Sequence, residues 1–378
     1  MLRTLYSEEH EMFREAVRRF FEKELVPHHE AWEEARMVPR DFWLKAGEQG
    51  ILCPQVPEAY GGAGADYKYI PIVNEEFALC GASGPNFAVH TDITAQYILN
   101  HGTEEQKKAW LPKMVTGEAI AAIAMTEPGA GSDLQAIRTT AVRDGDEYVI
   151  NGSKIFISNG ISADLVLTAV KTDPKAGAKG VSLIMIESNR EGFRRGKNLK
   201  KLGLKAQDTG ELFFDDVRVP VTNLLGGDEG LGFVQMMQEL PQERLSIATT
   251  AVAAAQAAFN LANAYVKERK AFGKTIAEFQ NTRYTLADLK TQIEVGWALH
   301  DKCVDLHCQH KLTATDAAMA KLWTTEMQGR VVDACLQLFG GYGYMMEYKI
   351  AQLYVDARVQ RIYGGTNEIM KELISRSL

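Results

Sequence analysis

A chain of 378 residues, 46% hydrophobic and 24% charged, is long enough for two or three domains with sizeable cores and too apolar to stay disordered. A formal net charge of −7 leaves no surplus of Lys and Arg for a phosphate backbone, which sets nucleic acid aside as a main partner. Five cysteines, Cys53, Cys80, Cys303, Cys308 and Cys335, contain no C-x-x-C pair and fit reduced thiols in a cytosol-like compartment, not a disulfide framework.

The opening MLRTLYSEEHEMFREAVRRFFEKEL mixes both charge signs at helical spacing, unlike a signal or transit peptide. No uninterrupted apolar run of about 18 residues follows, so a soluble chain with no membrane span is expected. From Ser7 to about Val115 the spacing predicts helices: Phe13, Ala16, Val17, Phe20, Phe21 and Leu25 recur behind a Ser7 cap. Thr103-x-x-Gln106 is a capping box, and residues 57–67, PEAYGGAGADY, form a breaker-rich loop. This N-terminal helical domain is placed at residues 1–121.

Near Ala121 the pattern changes to short β-prone runs: TTAVRDGDEYVINGSKIFISNG with an Asp144-Gly145 turn, then ADLVLTAVKT, GVSLIMIES and GELFFDDVRVP. These predict strands of about four to eight residues in a mostly antiparallel middle β domain over 122–229. Helical texture resumes at GLGFVQMMQEL. It runs through an alanine-rich 245–266, then 276–309, then a helix capped by Thr313-x-x-Asp316 and stopped at Gly340-Gly341. Long antiparallel helices with short links predict a C-terminal four-helix bundle over 230–378, and the fold class is α+β multidomain.

Several loops could hold a cofactor. AMTEPGAGSD (124–133) offers glycines, hydroxyls and free N–H groups, but lacks the order of a Rossmann or phosphate-loop motif. In KIFISNG (154–160), two-residue alternation would put Phe156 and Ser158 on one face, an aromatic beside a hydroxyl, as suits a flat heteroaromatic ring. ERKAFGK, QLFGGYGY and RIYGGTNEI combine Arg, aromatics and glycines at helix ends, where unpaired amides can take pyrophosphate. Each segment alone reads equally well as a turn or a helix terminator. His300, Cys303, His307 and His310 form one stripe of a predicted helix, and one straight helix cannot wrap a tetrahedral ion, so no metal site is expected.

Together MTEPGAGSD, FISNG, ERKAFGK, QLFGGYGY and YGGTNEI resemble, in order and spacing over essentially the whole chain, the acyl-CoA dehydrogenase family. The wording around LPQERL and VDARVQRIYGGTNEIMKELI looks closest to its long-chain branch. The resemblance implies FAD as cofactor, acyl-CoA as substrate, electron-transfer flavoprotein as electron acceptor and a homotetramer. The implied compartment is the bacterial cytoplasm, or the mitochondrial matrix for a processed eukaryotic chain. By this likeness Met125, Thr126, Gly131, Ser132, Phe156 and Ser158 meet the flavin. Arg269, Phe272, Gln280, Gln337, Gly340 and Gly341 are expected at the FAD of a neighbouring subunit, with Thr366 and Glu368 near the diphosphate. Ser132, Arg244, Tyr363, Gly364 and Gly365 are expected at the substrate.

Most of the family carries a glutamate base directly before the G-T of the last motif, where this chain has Gly364. The long-chain and isovaleryl branches place the base instead immediately before an arginine, a pair supplied here by Glu243-Arg244. Read by position alone, two residues after Pro241, Glu243 would be a first-turn carboxylate favoured by the helix dipole. The resemblance makes it the catalytic base for α,β-dehydrogenation of medium- to long-chain acyl-CoA, with the Gly364 N–H retained for the thioester oxygen. Returning a carboxylate to position 364 in place of Glu243 is expected to restore some turnover. Competing readings are a branched-chain dehydrogenase, an acyl-CoA oxidase and a non-catalytic family member.

Overall fold

The computed structural model describes residues 2–378. Its first third is helical: α1 (Glu8–Phe20), α2 (His29–Ala35), α3 (Arg40–Glu48), α4 (Tyr69–Leu79), α5 (Ala95–His101) and α6 (Glu104–Val115). α1 begins after Ser7, whose N–H is accepted by the His10 ring at 3.2 Å. α6 opens on the expected reciprocal cap, with the Gln106 N–H on the Thr103 hydroxyl at 3.3 Å and the Thr103 N–H on Gln106 Oε1 at 2.9 Å. α4 is buried on nearly every side and carries Glu75 inward. Burying a carboxylate is costly unless it is paired. Glu75 accepts from Arg14 at 2.6 Å, Arg3 at 2.7 Å and Tyr6 at 2.7 Å, which ties the N-terminal segment to α4.

The middle region is a seven-stranded sheet: β1 (Ala121–Ala124), β2 (Thr140–Asp144), β3 (Glu147–Ser158), β4 (Leu165–Lys171), β5 (Val181–Glu187), β6 (Phe193–Asn198) and β7 (Thr209–Pro220). The order is β1-β4-β2-β3-β7-β6 with β5 on β4; β1 and β2 run parallel to β4 and the remaining pairs are antiparallel. Asp144 pairs with Glu147, so the hairpin loop is Gly145-Asp146, one residue later than the sequence suggested, with Gly145 at φ 66°. β3 and β7 reach 12 residues each, longer than expected, because register shifts let paired strands bend and continue. β6, FRRGKN, has no apolar alternation to announce it and is held by its backbone pairing to β7.

The C-terminal part holds α7 (Gly232–Glu268), a small hairpin of β8 (Lys270–Ala271) and β9 (Lys274–Thr275), α8 (Gln280–Cys308), α9 (Ala314–Phe339), α10 (Lys349–Ala357) and α11 (Asn367–Ser375). α7 corrects the sequence reading: it runs unbroken through Pro241, so Glu243 sits in a helix interior, not in a first turn. An internal proline costs about 3 kcal/mol. Packing of Val252, Ala255 and Ala258 against Ile293, Met327 and Val331 holds the long helix regardless. α7 has the length and apolarity of a membrane span, yet 72% of that stretch is buried inside the protein, as befits a core helix. α8 ends at Cys308, so His310 falls outside the presumed stripe, and His300 is a core residue bonded to Thr249 and Asp301, each at 2.9 Å.

Candidate active site

A cavity of about 450 Å³ lies where the sheet meets α7, with α4 and the segment after it forming its far wall. Four of the pieces of chain that line it carry residues expected at the site. The loop after β1 contributes Met125, Thr126, Gly131 and Ser132, and the end of β3 contributes Phe156 and Ser158. α7 contributes Glu243 and Arg244, and the turn before α11 contributes Tyr363, Gly364 and Gly365.

Glu243 is 6% exposed and accepts a hydrogen bond from the Tyr97 hydroxyl at 2.9 Å. Burial pushes its carboxyl up to about 7; the Tyr97 bond opposes that, the Glu239 carboxylate adds to it, and Arg244 opposes it. Glu239, one helical turn earlier, is held by Asn100 at 3.0 Å and His101 at 2.8 Å. Arg244 is buried beside the cavity with its Nε unpartnered, and burial pushes its pKa below the ordinary arginine value. Gly364 and Gly365 turn the chain at φ 64° and 88°, a left-handed pair that side chains resist. The wholly buried Lys321 donates to the Gly365 carbonyl and to Asn367 Oδ1, both at 2.8 Å, and fixes that turn.

The loop after β1 is anchored from beneath. Lys154 donates to the Met125 carbonyl at 3.0 Å and to Glu127 at 2.8 Å, while Glu127 accepts the N–H groups of Arg138 and Thr139 at 2.6 and 3.0 Å. Phe156 and Ser158 both line the cavity, but not through simple alternation. The register shifts between Lys154 and Ile157, and Phe156 takes a left-handed φ of 62°. That kink leaves the Phe156 ring 64% exposed, while Ser158 Oγ accepts from Gln207 Nε2 at 2.9 Å. An uncovered aromatic face beside the hydroxyls of Thr126, Ser132 and Ser158 matches a flat ring system with a polar edge. A Cβ added at Gly131 would meet nothing within 4 Å, so a bulky group can approach that backbone.

The other expected cofactor residues do not join the cavity within one chain. Arg269, Phe272, Gln280, Gln337, Gly340 and Gly341 are all exposed, on the end of the bundle. Arg269 stacks 5.6 Å from the Tyr342 ring centroid, which brings two of these segments together, and Phe272 is 95% exposed. Thr366 caps α11 through the Ile369 N–H at 3.3 Å, and Glu368 points outward in the first turn of that helix. Sequence reasoning missed Tyr97, Glu239, Lys321 and Lys154. Only Lys154 left a trace, as a lysine among the inward-facing positions that Tyr148 and Ile150 also occupy on β3.

A helical domain, a β domain and a helical bundle around such a cavity define an acyl-CoA dehydrogenase. Residues 7–118, 122–217 and 230–378 match the N-terminal, middle and C-terminal domains of that family. The chain belongs to the acyl-CoA dehydrogenase family, FAD-dependent oxidoreductases that act on the CH–CH bond of fatty acyl-CoA. It is 52% identical over 379 residues to a mitochondrial long-chain specific acyl-CoA dehydrogenase of Sus scrofa, covering 100% of this chain and 88% of that one. A short-chain specific acyl-CoA dehydrogenase of Clostridium acetobutylicum is 42% identical, with 97% of each chain covered. The crystal structure of an acyl-CoA dehydrogenase from Geobacillus kaustophilus superposes with a TM-score of 0.98 at 52% identity, covering 100% of this chain and 99% of that one.

Proposed function

We propose that this enzyme converts straight medium- to long-chain acyl-CoA to trans-2-enoyl-CoA, with Glu243 as the base that removes the α proton. The observation that carries this reading is a carboxylate sealed in the cavity wall and tuned to about 7, in a chain whose position 364 carries no side chain. A base near the working pH combines a useful deprotonated fraction with enough strength to take a weakly acidic proton. The Gly364 N–H receives the thioester oxygen and holds the charge that builds there as the proton leaves. An acyl chain filling the cavity would displace water from it, so that the 6%-exposed carboxylate meets the acyl chain and not solvent.

The residues that would hold FAD are Met125, Thr126, Gly131, Ser132, Phe156 and Ser158. Bound FAD supplies the acceptor for two electrons and the β hydrogen. Electron-transfer flavoprotein is the expected next acceptor. In a homotetramer the exposed Arg269, Phe272, Gln280, Gln337, Gly340 and Gly341, with Thr366 and Glu368, would complete a cofactor site at a subunit boundary. The kinship with the long-chain relative supports the chain-length reading.

The test is anaerobic titration of the yellow holoenzyme with acyl-CoA of increasing chain length, in the wild type and in Glu243→Gln. Bleaching that is strongest for medium to long chains, and slowed about 100-fold or more by the substitution, is expected. Full-rate bleaching of Glu243→Gln would remove the base assignment, and a preference for short chains would remove the substrate assignment.

A further inference from the structure

Between the base and the Gly364 turn, the cavity wall comes down to one methyl group. A Cβ placed on Gly364 would lie 2.3 Å from Ile247 Cδ1, with Ile247 Cγ1 next at 3.8 Å. Ile247 follows Glu243 by four residues on α7, so the two side chains lie one above the other on the same helix face. Both line the cavity, and Ile247 is part-buried because its outer side is that opening. In a helix the branched Cβ of isoleucine fixes χ1, which holds Cγ1 beside Gly364, and χ2 as observed carries Cδ1 into the gap.

We propose that Ile247 is a specificity-determining residue that restricts this enzyme to thioesters with an unbranched α carbon. The inference rests on the reading that Glu243 takes the α proton while the Gly364 N–H holds the carbonyl oxygen. With those two contacts set, a substituent on the α carbon has to enter the space beside Gly364, and Ile247 Cδ1 already fills it. Ile247 takes no part in proton transfer; it decides which α carbon can reach the base.

The experiment compares decanoyl-CoA with its α-methyl derivative as substrates of the holoenzyme, using an artificial electron acceptor. Ile247→Val removes Cδ1 and little else. It is expected to raise the ratio of kcat/KM for the α-methyl compound over the straight one by about 10-fold, the scale on which one methyl group is discriminated in an apolar pocket. A general loss of packing would lower both values together and leave the ratio where it was. Gly364→Ala supplies the mirror image: it should depress turnover of decanoyl-CoA, and Ile247→Val in the same chain should recover part of the loss.

An unchanged ratio in Ile247→Val overturns the proposal, as does a wild type that uses both substrates equally or a double variant no better than Gly364→Ala. If the wild type oxidises neither compound, the reading of the cavity fails and this inference falls with it. If it oxidises decanoyl-CoA while the ratio stays fixed, only the role of Ile247 is lost.

Discussion

The Tyr97 hydroxyl donates to Glu243 Oε1 at 2.9 Å, joining α5 to α7 across 146 residues of sequence. The bond favours the ionised carboxylate and works against burial, which has pushed the same group up to about 7. One turn away on each helix, His101 and Glu239 form a second contact at 2.8 Å. On top of burial, the Glu243 carboxyl is therefore set by two opposed neighbours, a donor that lowers its pKa and a carboxylate that raises it.

The pH profile should report both. Below its pKa, Glu243 holds a proton and cannot accept another, so kcat/KM falls as pH drops through about 7. Tyr97→Phe removes the stabilising donor and should move that limb to higher pH by about one unit or more, the scale of a hydrogen bond to a charged group. Glu239→Gln removes the repelling charge and should move it to lower pH. Two shifts in the same direction would sink this account.

The same raised pKa has a stability consequence of opposite sign from that of a carboxylate paired with a cation. The folded protein holds a proton on Glu243 up to about 7, whereas an ordinary glutamate loses it near 4.5. Between those values the native state binds more protons than the unfolded one, so rising pH costs stability across that window. Glu243→Gln should be more stable than wild type by up to ~3 kcal/mol near pH ~8, with the difference fading toward pH ~4. Urea denaturation at the two pH values measures it, and a pH-independent difference would count against the assignment.

The sequence exposes what is local. Caps at Ser7, Thr103 and Thr313, the helix stop at Gly340 and the change to strands at Ala121 were each readable from a few adjacent residues, because capping and alternation are short-range effects. Five separate motifs carried the family resemblance, and the structure brings three of the segments that hold them to one cavity. What stayed hidden was contact between distant segments. Nothing near Tyr97 says that it faces a carboxylate on α7, and Pro241 suggested a helix start only because local rules cannot weigh the burial that carries α7 through it. The bulge at Phe156 is equally silent, since a register shift depends on the partner strand.

Lys154 should matter to cofactor binding although it lines no part of the cavity. Its ammonium is wholly enclosed and, despite its contact with Glu127, burial pulls its pKa down to about 8. Lys154→Met would leave Glu127 with only two backbone donors and release the Met125 carbonyl. Breaking one partner of a buried pair costs about 3–5 kcal/mol. The expected result is a lower melting temperature together with weakened FAD retention on gel filtration. Loss of stability with FAD affinity intact would show that the loop holds its shape without the lysine.

Placing a carboxylate at position 364 in place of Glu243 is a more demanding test than the sequence suggested. With Gly364 alone considered, Glu243→Gly combined with Gly364→Glu should regain turnover. The structure shows that any Cβ at 364 runs into Ile247 Cδ1 at 2.3 Å, and that the backbone there is held at φ 64°, which disfavours side chains on its own account. A carboxylate forced past that contact would be displaced by an ångström or more, enough to cost about 100-fold in rate. The double variant is therefore expected to be no faster than Glu243→Gly. Adding Ile247→Ala opens the route from 364 to the α carbon and should raise turnover by about 10-fold over the double variant, with the backbone strain keeping it below wild type. Rates of flavin bleaching by decanoyl-CoA in the four proteins decide it: equal recovery with and without Ile247 would mean that this side chain is no obstacle to a base at 364.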